Sequence, residues 1–144
     1  MKKKKIPTNT DYFTYYNANP KQLVCGDCVV RAISLATSKS WATVVRELTE
    51  VGIEHSMVLN DPKLFPIYLK RLGFTQCKEP RDHYNKKMTV KEWMQQEGIC
   101  PGYQKDVILV NAGSHHLACI IDGTVHDIWD SSKVTMHKYW YKSW

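Results

Sequence analysis

The chain has 144 residues, of which 43% are hydrophobic, and this length predicts a single domain with a core of ordinary size. Its formal net charge of +6 includes the four lysines Lys2–Lys5, and without them 16 basic side chains face 14 acidic ones. This nearly even balance of charge argues against nucleic acid as a partner. No apolar run approaches the ~20 residues of a membrane span.

Residues 1–18 are first basic and then aromatic, and we expect a flexible segment ahead of a single domain over residues 19–144. The change comes at Asn17-Ala18-Asn19-Pro20, whose residue types favour a turn. A solvated tail is the simplest interpretation of Lys2–Lys5, although the sequence leaves the role of this run open.

The cysteines are odd in number and follow no apolar leader segment. This pattern predicts free thiols in a reducing cytoplasm rather than a disulfide framework. The five are Cys25, Cys28, Cys77, Cys100 and Cys119. The last of them lies within an apolar run and is expected in the core.

Apolar side chains spaced three to four residues apart predict four helices. These are expected over residues 27–36, 41–51, 60–72 and 90–97. Asp27, Ser40 and Thr89 are the predicted N-caps, and Glu92 completes a capping box with Thr89. Gly52 is the predicted stop of the second helix, and the charged segment 75–87 is predicted to be a loop.

Beyond residue 105 the apolar period changes to two, which predicts strands over residues 106–111, 116–121 and 124–129. Asp122-Gly123 between the last two is a strong two-residue hairpin signal. The aromatic end, residues 139–144, is predicted to be an edge strand or a packed tail. Helices followed by antiparallel strands indicate an α+β fold.

The stretch Gln22-Leu23-Val24-Cys25-Gly26-Asp27-Cys28 places a cysteine at the predicted start of the first helix. Unpaired N–H groups and the partial positive charge of a helix N-terminus favour the thiolate form of such a cysteine. A nucleophilic thiol also needs a base, and His115-His116 stand immediately ahead of a predicted strand. Cys28 is therefore the candidate nucleophile, and one of these histidines is the candidate base.

This stretch follows the pattern Gln-x-x-Cys-Gly-x-Cys and resembles the papain-like cysteine peptidases. Over roughly residues 19–140 the chain also resembles small papain-like proteins of bacteriophages and bacteria. The resemblance implies that Cys28 is the nucleophile, that Gln22 donates to an oxyanion hole and that His116 is the base. It further implies N-terminal helices, the central one starting at the nucleophile, packed on a C-terminal antiparallel sheet.

The predicted hairpin bears on which acid orients His116. With Asp122-Gly123 as a two-residue turn, Asp127 and Trp129 fall on the same face of the sheet as His116. Asp130 then lies on the opposite face, but a slip of one residue would exchange the two acids. The pattern favours Asp127 and keeps Asp130 as the alternative.

The sequence therefore predicts a cysteine hydrolase that cleaves a peptide, isopeptide or related amide bond through a thioester at Cys28, without a cofactor or metal. The implied partner is a protein or peptide substrate in the cytoplasm, which for a phage-encoded protein is that of the host. Acyl transfer through the same thioester and a papain-fold binding protein without catalysis are the alternatives. Cys25 and Cys28 also have the spacing of zinc ligands, but the sequence has no second pair of that kind.

Overall fold

The computed structural model describes residues 6–104 and 106–143. Lys2–Lys5 and Trp144, for which a tail and a strand end were predicted, lie outside these residues. The helices of the described part are α1 (Cys28–Thr37), α2 (Trp41–His55), α3 (Leu64–Arg71) and α4 (Val90–Gln96). The strands are β1 (Phe13–Tyr15), β2 (Thr75–Cys77), β3 (Asp106–Ala112), β4 (Leu117–Ile121), β5 (Thr124–Asp127) and β6 (Met136–Ser143). Over the described ranges, none of the helices combines the length and apolarity needed to cross a bilayer.

The strands form one mixed sheet in the order β1-β5-β4-β3-β6-β2, so the α+β class is confirmed. The C-terminal strands β3 to β6 pair antiparallel, as predicted, but the sheet as a whole is mixed because β1 pairs with β5 in parallel. This strand lies in the segment predicted to be flexible, and its Phe13 side chain is fully buried. Three residues are too few to show a periodic signal, and the same holds for β2 in the predicted loop 75–87.

The C-terminal strand β6 is not at the edge of the sheet, where one of the two sequence predictions put it. It pairs with β3 on one side and with the short β2 on the other. Trp140 of β6 is buried and contacts Phe65 of α3 edge to face, with ring centroids 5.2 Å apart. The interior position of β6 therefore explains why Trp140 is buried.

Both faces of the sheet are covered. One core joins α1, α2 and α3 to side chains such as Leu109 and Leu117, and the other joins α4 to neighbours such as Ile108 and Val110. Successive residues of β3 thus enter opposite cores, as the pleat of a strand requires. This double coverage explains the nearly continuous apolar runs of β3 and β4, which alternate less than half-exposed strands would.

The hairpin between β4 and β5 has the predicted register, with Ile121 opposite Thr124 and Cys119 opposite His126. Asp122 and Gly123 both have positive φ, at 54° and 71°, as a type I′ turn requires. A Cβ atom on Gly123 would lie only 1.7 Å from the carbonyl oxygen of Cys100. The turn is therefore fixed both by its own backbone and by a neighbouring loop.

Helix α2 continues past Gly52 to His55, so the prediction that this glycine ends the helix is wrong. Ser56 is the left-handed C-cap, and the N–H of Met57 donates to the carbonyl of Gly52 at 2.8 Å. A Cβ atom on Gly52 would lie 2.4 Å from the carbonyl oxygen of Met57. The glycine is needed for this close return of the chain rather than for termination.

Gly52→Ala should lower the free energy of unfolding by about 1–3 kcal/mol, because the added methyl group forces the backbone at Met57 to move. Ile53→Ala is the matched control, since Ile53 is the next residue of α2 and its side chain is 75% exposed. It should change stability by less than about 0.5 kcal/mol. Urea unfolding followed by circular dichroism measures both, and equal effects would contradict the close-contact explanation.

Candidate active site

Cys28 is the first residue of α1, as predicted, and it is partly exposed. The first backbone bond of the helix runs from the N–H of Arg31 to the carbonyl of Asp27 at 2.9 Å. Asp27 occupies the N-cap position, but its side chain makes no capping bond, so the predicted role for that side chain is wrong. The positive end of α1 is therefore left uncapped beside the Cys28 sulfur.

The β4–β5 hairpin brings His116 and Asp127 together, as its predicted register requires. The Nε2 atom of His116 lies 2.5 Å from Oδ2 of Asp127. The same carboxylate accepts from the Ser131 hydroxyl at 2.7 Å and from the backbone N–H of Ile128 at 2.7 Å. Asp127 is only 4% exposed, so this buried acid is held by several donors at once.

The ring of Trp129 packs against the imidazole of His116, with ring centroids 4.6 Å apart. Trp129 is 37% exposed, so it covers the histidine from the solvent side. Packing on one side and the carboxylate of Asp127 on another restrict the orientation of the imidazole. Since Nε2 is engaged by Asp127, Nδ1 is the ring atom left to face the thiol of Cys28.

The His116 imidazole lies beside the Cys28 sulfur and acts on the pKa of the thiol. Burial alone would raise the pKa of the Cys28 thiol. Hydrogen bonds from the His116 side chain and the Leu117 backbone outweigh burial, and the positive charges of His116 and Arg31 act in the same direction. The net effect is a lowered pKa, which favours the thiolate.

Burial likewise opposes the charged form of His116, but its hydrogen bonds to Asp127 and Cys28 and the negative charges of both groups prevail. They raise the pKa of His116 to about 9. At neutral pH the imidazole is therefore protonated. Together with the lowered pKa of the thiol, this favours a thiolate–imidazolium pair.

Cys25 provides an internal comparison, because it is a second thiol in the loop that leads into α1. Partial desolvation and the nearby Asp27 carboxylate raise the pKa of the Cys25 thiol, the opposite direction from Cys28. Cys25 is exposed and accepts a long contact from Nδ2 of Asn19 at 3.8 Å. Position at the helix start next to an imidazole, not presence in the Cys-x-x-Cys motif, determines which thiol is activated.

The alternatives to His116 and Asp127 lie elsewhere. His115 contributes its backbone carbonyl oxygen, 4.0 Å from the Cys28 sulfur, and its exposed side chain lines the adjacent cleft. Asp130 caps the 3-10 helix Ser131–Lys133, where its Oδ1 accepts from the backbone N–H and hydroxyl of Ser132 at 3.2 and 2.5 Å. Asp130 makes none of the hydrogen bonds of His116 among the described residues.

The structure does not offer the Gln22 side chain as an oxyanion donor, the role that the family resemblance implies. Its Nε2 group donates to the carbonyl oxygens of Asn17 and Asn19, both at 3.0 Å. An amide group has only two such hydrogens, so both are occupied. Gln22 has a positive φ of 56°, and its side chain stabilises the turn that precedes Cys25.

Arg31 and Asp27 form a buried ion pair beneath the site, which the sequence analysis missed. The pair has the helical i, i+4 spacing, and a charged residue within the apolar run Val29–Ile33 was the signal that could have revealed it. Nη2 of Arg31 also lies 3.7 Å from Oδ1 of Asp127. The ion pair is therefore linked to the carboxylate that holds His116.

A cleft of about 730 Å³ opens beside Cys28. It lies between the start of α1, the segment 59–66 and the sheet, with Phe65, Leu117 and Trp140 among its lining residues. His115 and Ser114 stand at the same opening as the sulfur. The thiol is thus reachable from a cavity of the size that small-molecule or peptide ligands occupy.

All five cysteines are free, and none takes part in a disulfide. Within residues 6–104 and 106–143, no group of three or more His, Cys, Asp or Glu side chains is placed to hold a metal ion. Comparisons with models of protein families, with curated proteins and with solved structures found no match to this chain. The chemistry of the site must therefore be argued from its own geometry.

Alkylation of Cys28 by iodoacetamide should proceed at neutral pH, with its rate rising through a midpoint below the ordinary thiol value of about 8.5. His116→Ala removes the main hydrogen bond to the thiolate, so the midpoint should rise and the rate at pH 7 fall about tenfold. Peptide mass spectrometry measures the modification of each cysteine separately. Cys25 serves as the internal control, and faster labelling of Cys25 than of Cys28 would contradict the assignment.

Asp127→Asn should lower the pKa of His116 from about 9 by about one to two units, because the negative charge of the carboxylate beside Nε2 is lost. Asp130→Asn is the matched control, since Asp130 caps a short helix close by. It should leave the titration of His116 unchanged. The midpoint is read from the imidazole C–H resonance by NMR, with His116→Gln to identify the signal, and equal shifts in the two variants would refute the assignment.

Proposed function

We propose that this protein is a cysteine hydrolase that cleaves a peptide, isopeptide or related amide bond through a thioester at Cys28. The observation that carries the proposal is the position of His116, whose Nε2 contacts the Asp127 carboxylate while its ring lies beside the Cys28 sulfur. A nucleophile, a base and a group that orients the base form the arrangement that thiol hydrolases need.

In the first half of the reaction the Cys28 thiolate attacks the carbonyl carbon of the substrate. The C–N bond then breaks, and the His116 imidazolium gives its proton to the leaving amine. The products of this half are the free amine, a thioester on the Cys28 sulfur and a neutral imidazole. The raised pKa of His116 supports this role, because an acid with a pKa of about 9 is still protonated when the amine leaves at neutral pH.

In the second half a water molecule attacks the thioester carbonyl while neutral His116 takes one of its protons. The C–S bond breaks, the carboxylic acid leaves and the thiolate–imidazolium pair is restored. Asp127 stabilises the imidazolium as it forms and keeps Nδ1 directed toward the sulfur. An amine in place of water would give acyl transfer, which uses the same thioester.

Both halves pass through a negatively charged oxygen that needs donors already in place. The backbone N–H of Cys28, at the uncapped start of α1, is the donor that this proposal uses. The Asp27 side chain leaves this N–H group unoccupied, because it pairs with Arg31 instead of capping the helix. The uncapped helix start thus keeps its partial positive charge for the substrate oxygen.

The proposal includes the papain-like family relationship that the sequence motif suggests. Cys28 at a helix head, His116 ahead of a strand and Asp127 on the next strand follow the chain order of that family. The cleft beside the sulfur supports a peptide or protein substrate, because its apolar lining and open shape suit an extended chain or a large side chain.

p-Nitrophenyl acetate tests the chemistry without knowledge of the natural substrate. Cys28 should accept the acetyl group with release of p-nitrophenolate and then lose it to water, so the wild-type protein should turn over. Cys28→Ala should abolish turnover, and His116→Ala should slow it by about 100-fold or more. Absorbance measures the p-nitrophenolate, and intact-protein mass spectrometry measures the acetyl group.

Cys25→Ala is the matched control, because it removes a neighbouring exposed thiol and should leave turnover unchanged. The hydrolase would be refuted if acetylation were spread equally over Cys25, Cys77 and Cys100. It would also be refuted if His116→Ala left turnover unchanged. Such a result would instead favour a binding protein with an incidental thiol. Turnover that rises when a primary amine is added, with acetyl transferred to the amine, would identify an acyltransferase.

A further inference from the structure

Arg31 is a charged residue enclosed in the core, three residues after the nucleophile. Only 6% of Arg31 is exposed, and Asp27 and Asp127 are exposed by 7% and 4%. A buried charge destabilises the fold unless it is paired, and these three groups pair with one another inside the protein rather than at its surface. Neither half of the proposed reaction uses the guanidinium of Arg31 in a bond-making or proton-transfer step.

The contacts of Arg31 lead in two directions. Nη1 forms the ion pair with Asp27 and donates to the carbonyl oxygen of Cys25 at 3.4 Å. Nη2 lies 3.7 Å from Oδ1 of Asp127, while the other oxygen of that carboxylate contacts His116. Arg31 thus links the loop that precedes the nucleophile to the acid that holds the base.

Asp27 is in turn fixed by neutral donors. Its Oδ2 accepts from Nδ2 of Asn19 at 3.1 Å and from the indole N–H of Trp41 at 3.0 Å. Burial opposes its ionisation, but these two bonds and the charge of Arg31 lower the pKa of Asp27. An ionised and immobile Asp27 holds the guanidinium in one position against Asp127.

The need for this arrangement follows from the proton balance of the reaction. Before acylation, the imidazolium of His116 neutralises part of the charge on Asp127. After the proton has gone to the leaving amine, His116 is neutral and that counter-charge is lost. Among the described residues, Arg31 is then the only cation within 4 Å of the Asp127 carboxylate.

We infer that Arg31 is a positioning residue of the thiol site: its buried guanidinium pairs with the Asp127 carboxylate and keeps it directed at His116 while His116 is neutral, and so supports hydrolysis of the thioester. This inference rests on the proposed hydrolase function. Without Arg31 the buried Asp127 carboxylate has no cationic partner among the described residues at this stage, so it is held less firmly and supports the base less well.

Several other titratable groups face this region and bear on any pH measurement. Around the guanidinium these are Asp27, Cys28, Asp127 and, at a small gap beside it, Tyr16 and His126. On β4, burial and the negative charge of Asp127 raise the pKa of the Cys119 thiol, so this thiol stays neutral over the working range. The charge of Arg31 also lowers the pKa of the Cys28 thiol. Removal of that charge should therefore affect the attack by the thiolate as well as the hydrolysis of the thioester.

The test measures how fast the acetyl group leaves Cys28 after a pulse of p-nitrophenyl acetate, together with the pH profile of Cys28 alkylation. Arg31→Gln keeps an N–H donor for Asp27 and removes the charge. It should slow the loss of acetyl about tenfold and move the alkylation midpoint to higher pH. Arg31→Lys keeps the charge and should restore most of both properties.

Arg46→Gln is the matched control, because Arg46 is an exposed arginine of α2. It should change neither the loss of acetyl nor the pH profile. If Arg31→Gln proves too unstable, Asp27→Asn combined with Arg31→Gln removes both charges and leaves no unpaired Asp27. Acetyl loss should still be about tenfold slower, since Asp127 lacks its partner in this variant as well.

Three negative results can be told apart. In the first, turnover of the wild-type protein depends on His116, but Arg31→Gln loses acetyl at the wild-type rate and only melts at a lower temperature. This result would be consistent with the hydrolase and would overturn the role of Arg31. A wild-type protein without acetylation at Cys28, or without dependence on His116, would refute the hydrolase and this inference with it. Loss of activity in Arg31→Gln that Arg31→Lys does not restore would likewise overturn the role of the charge.

Discussion

The contact between Nε2 of His116 and Oδ2 of Asp127, 2.5 Å long, is the interaction on which the candidate site depends. It fixes which ring nitrogen faces the sulfur, and it provides the charge that keeps the imidazole protonated at neutral pH. Both residues belong to one hairpin, so the contact depends on the type I′ turn at Asp122 and Gly123 more than on any distant packing. A slip of one residue in this hairpin would turn the acid away from the base.

A second constraint is the burial of ionised groups. Asp127, Asp27 and Arg31 lie in the same interior region between α1 and the hairpin, where an unpaired charge would destabilise the fold. Each finds partners on a different element, including the indole of Trp41 and the hydroxyl of Ser131. The polar network therefore fixes the position of α1 relative to the sheet, which is the same geometry that the thiol and the imidazole require.

Much of this could be read from the sequence because it depends on local patterns. The start of α1 at Cys28, the capping box at Thr89 and the hairpin register all follow from short-range chemistry, and the structure has each of them. Other features depend on tertiary contacts that no local pattern encodes. The pairing of Phe13–Tyr15 with β5, the return of the chain onto Gly52 and the engagement of the Gln22 amide by backbone carbonyls are of this kind.

The sulfur of Cys28 and the carbonyl of His115 that it contacts are separated by 87 positions along the chain. Chains whose contacts join such remote segments tend to fold slowly, because loop closure must precede the contacts that stabilise it. During synthesis, a nascent chain displays Cys28 well before the hairpin exists, and its thiol then has the chemistry of any free cysteine. The lowered pKa of the Cys28 thiol is acquired only with the finished fold, because it depends on His116 and on the nearby charge of Arg31.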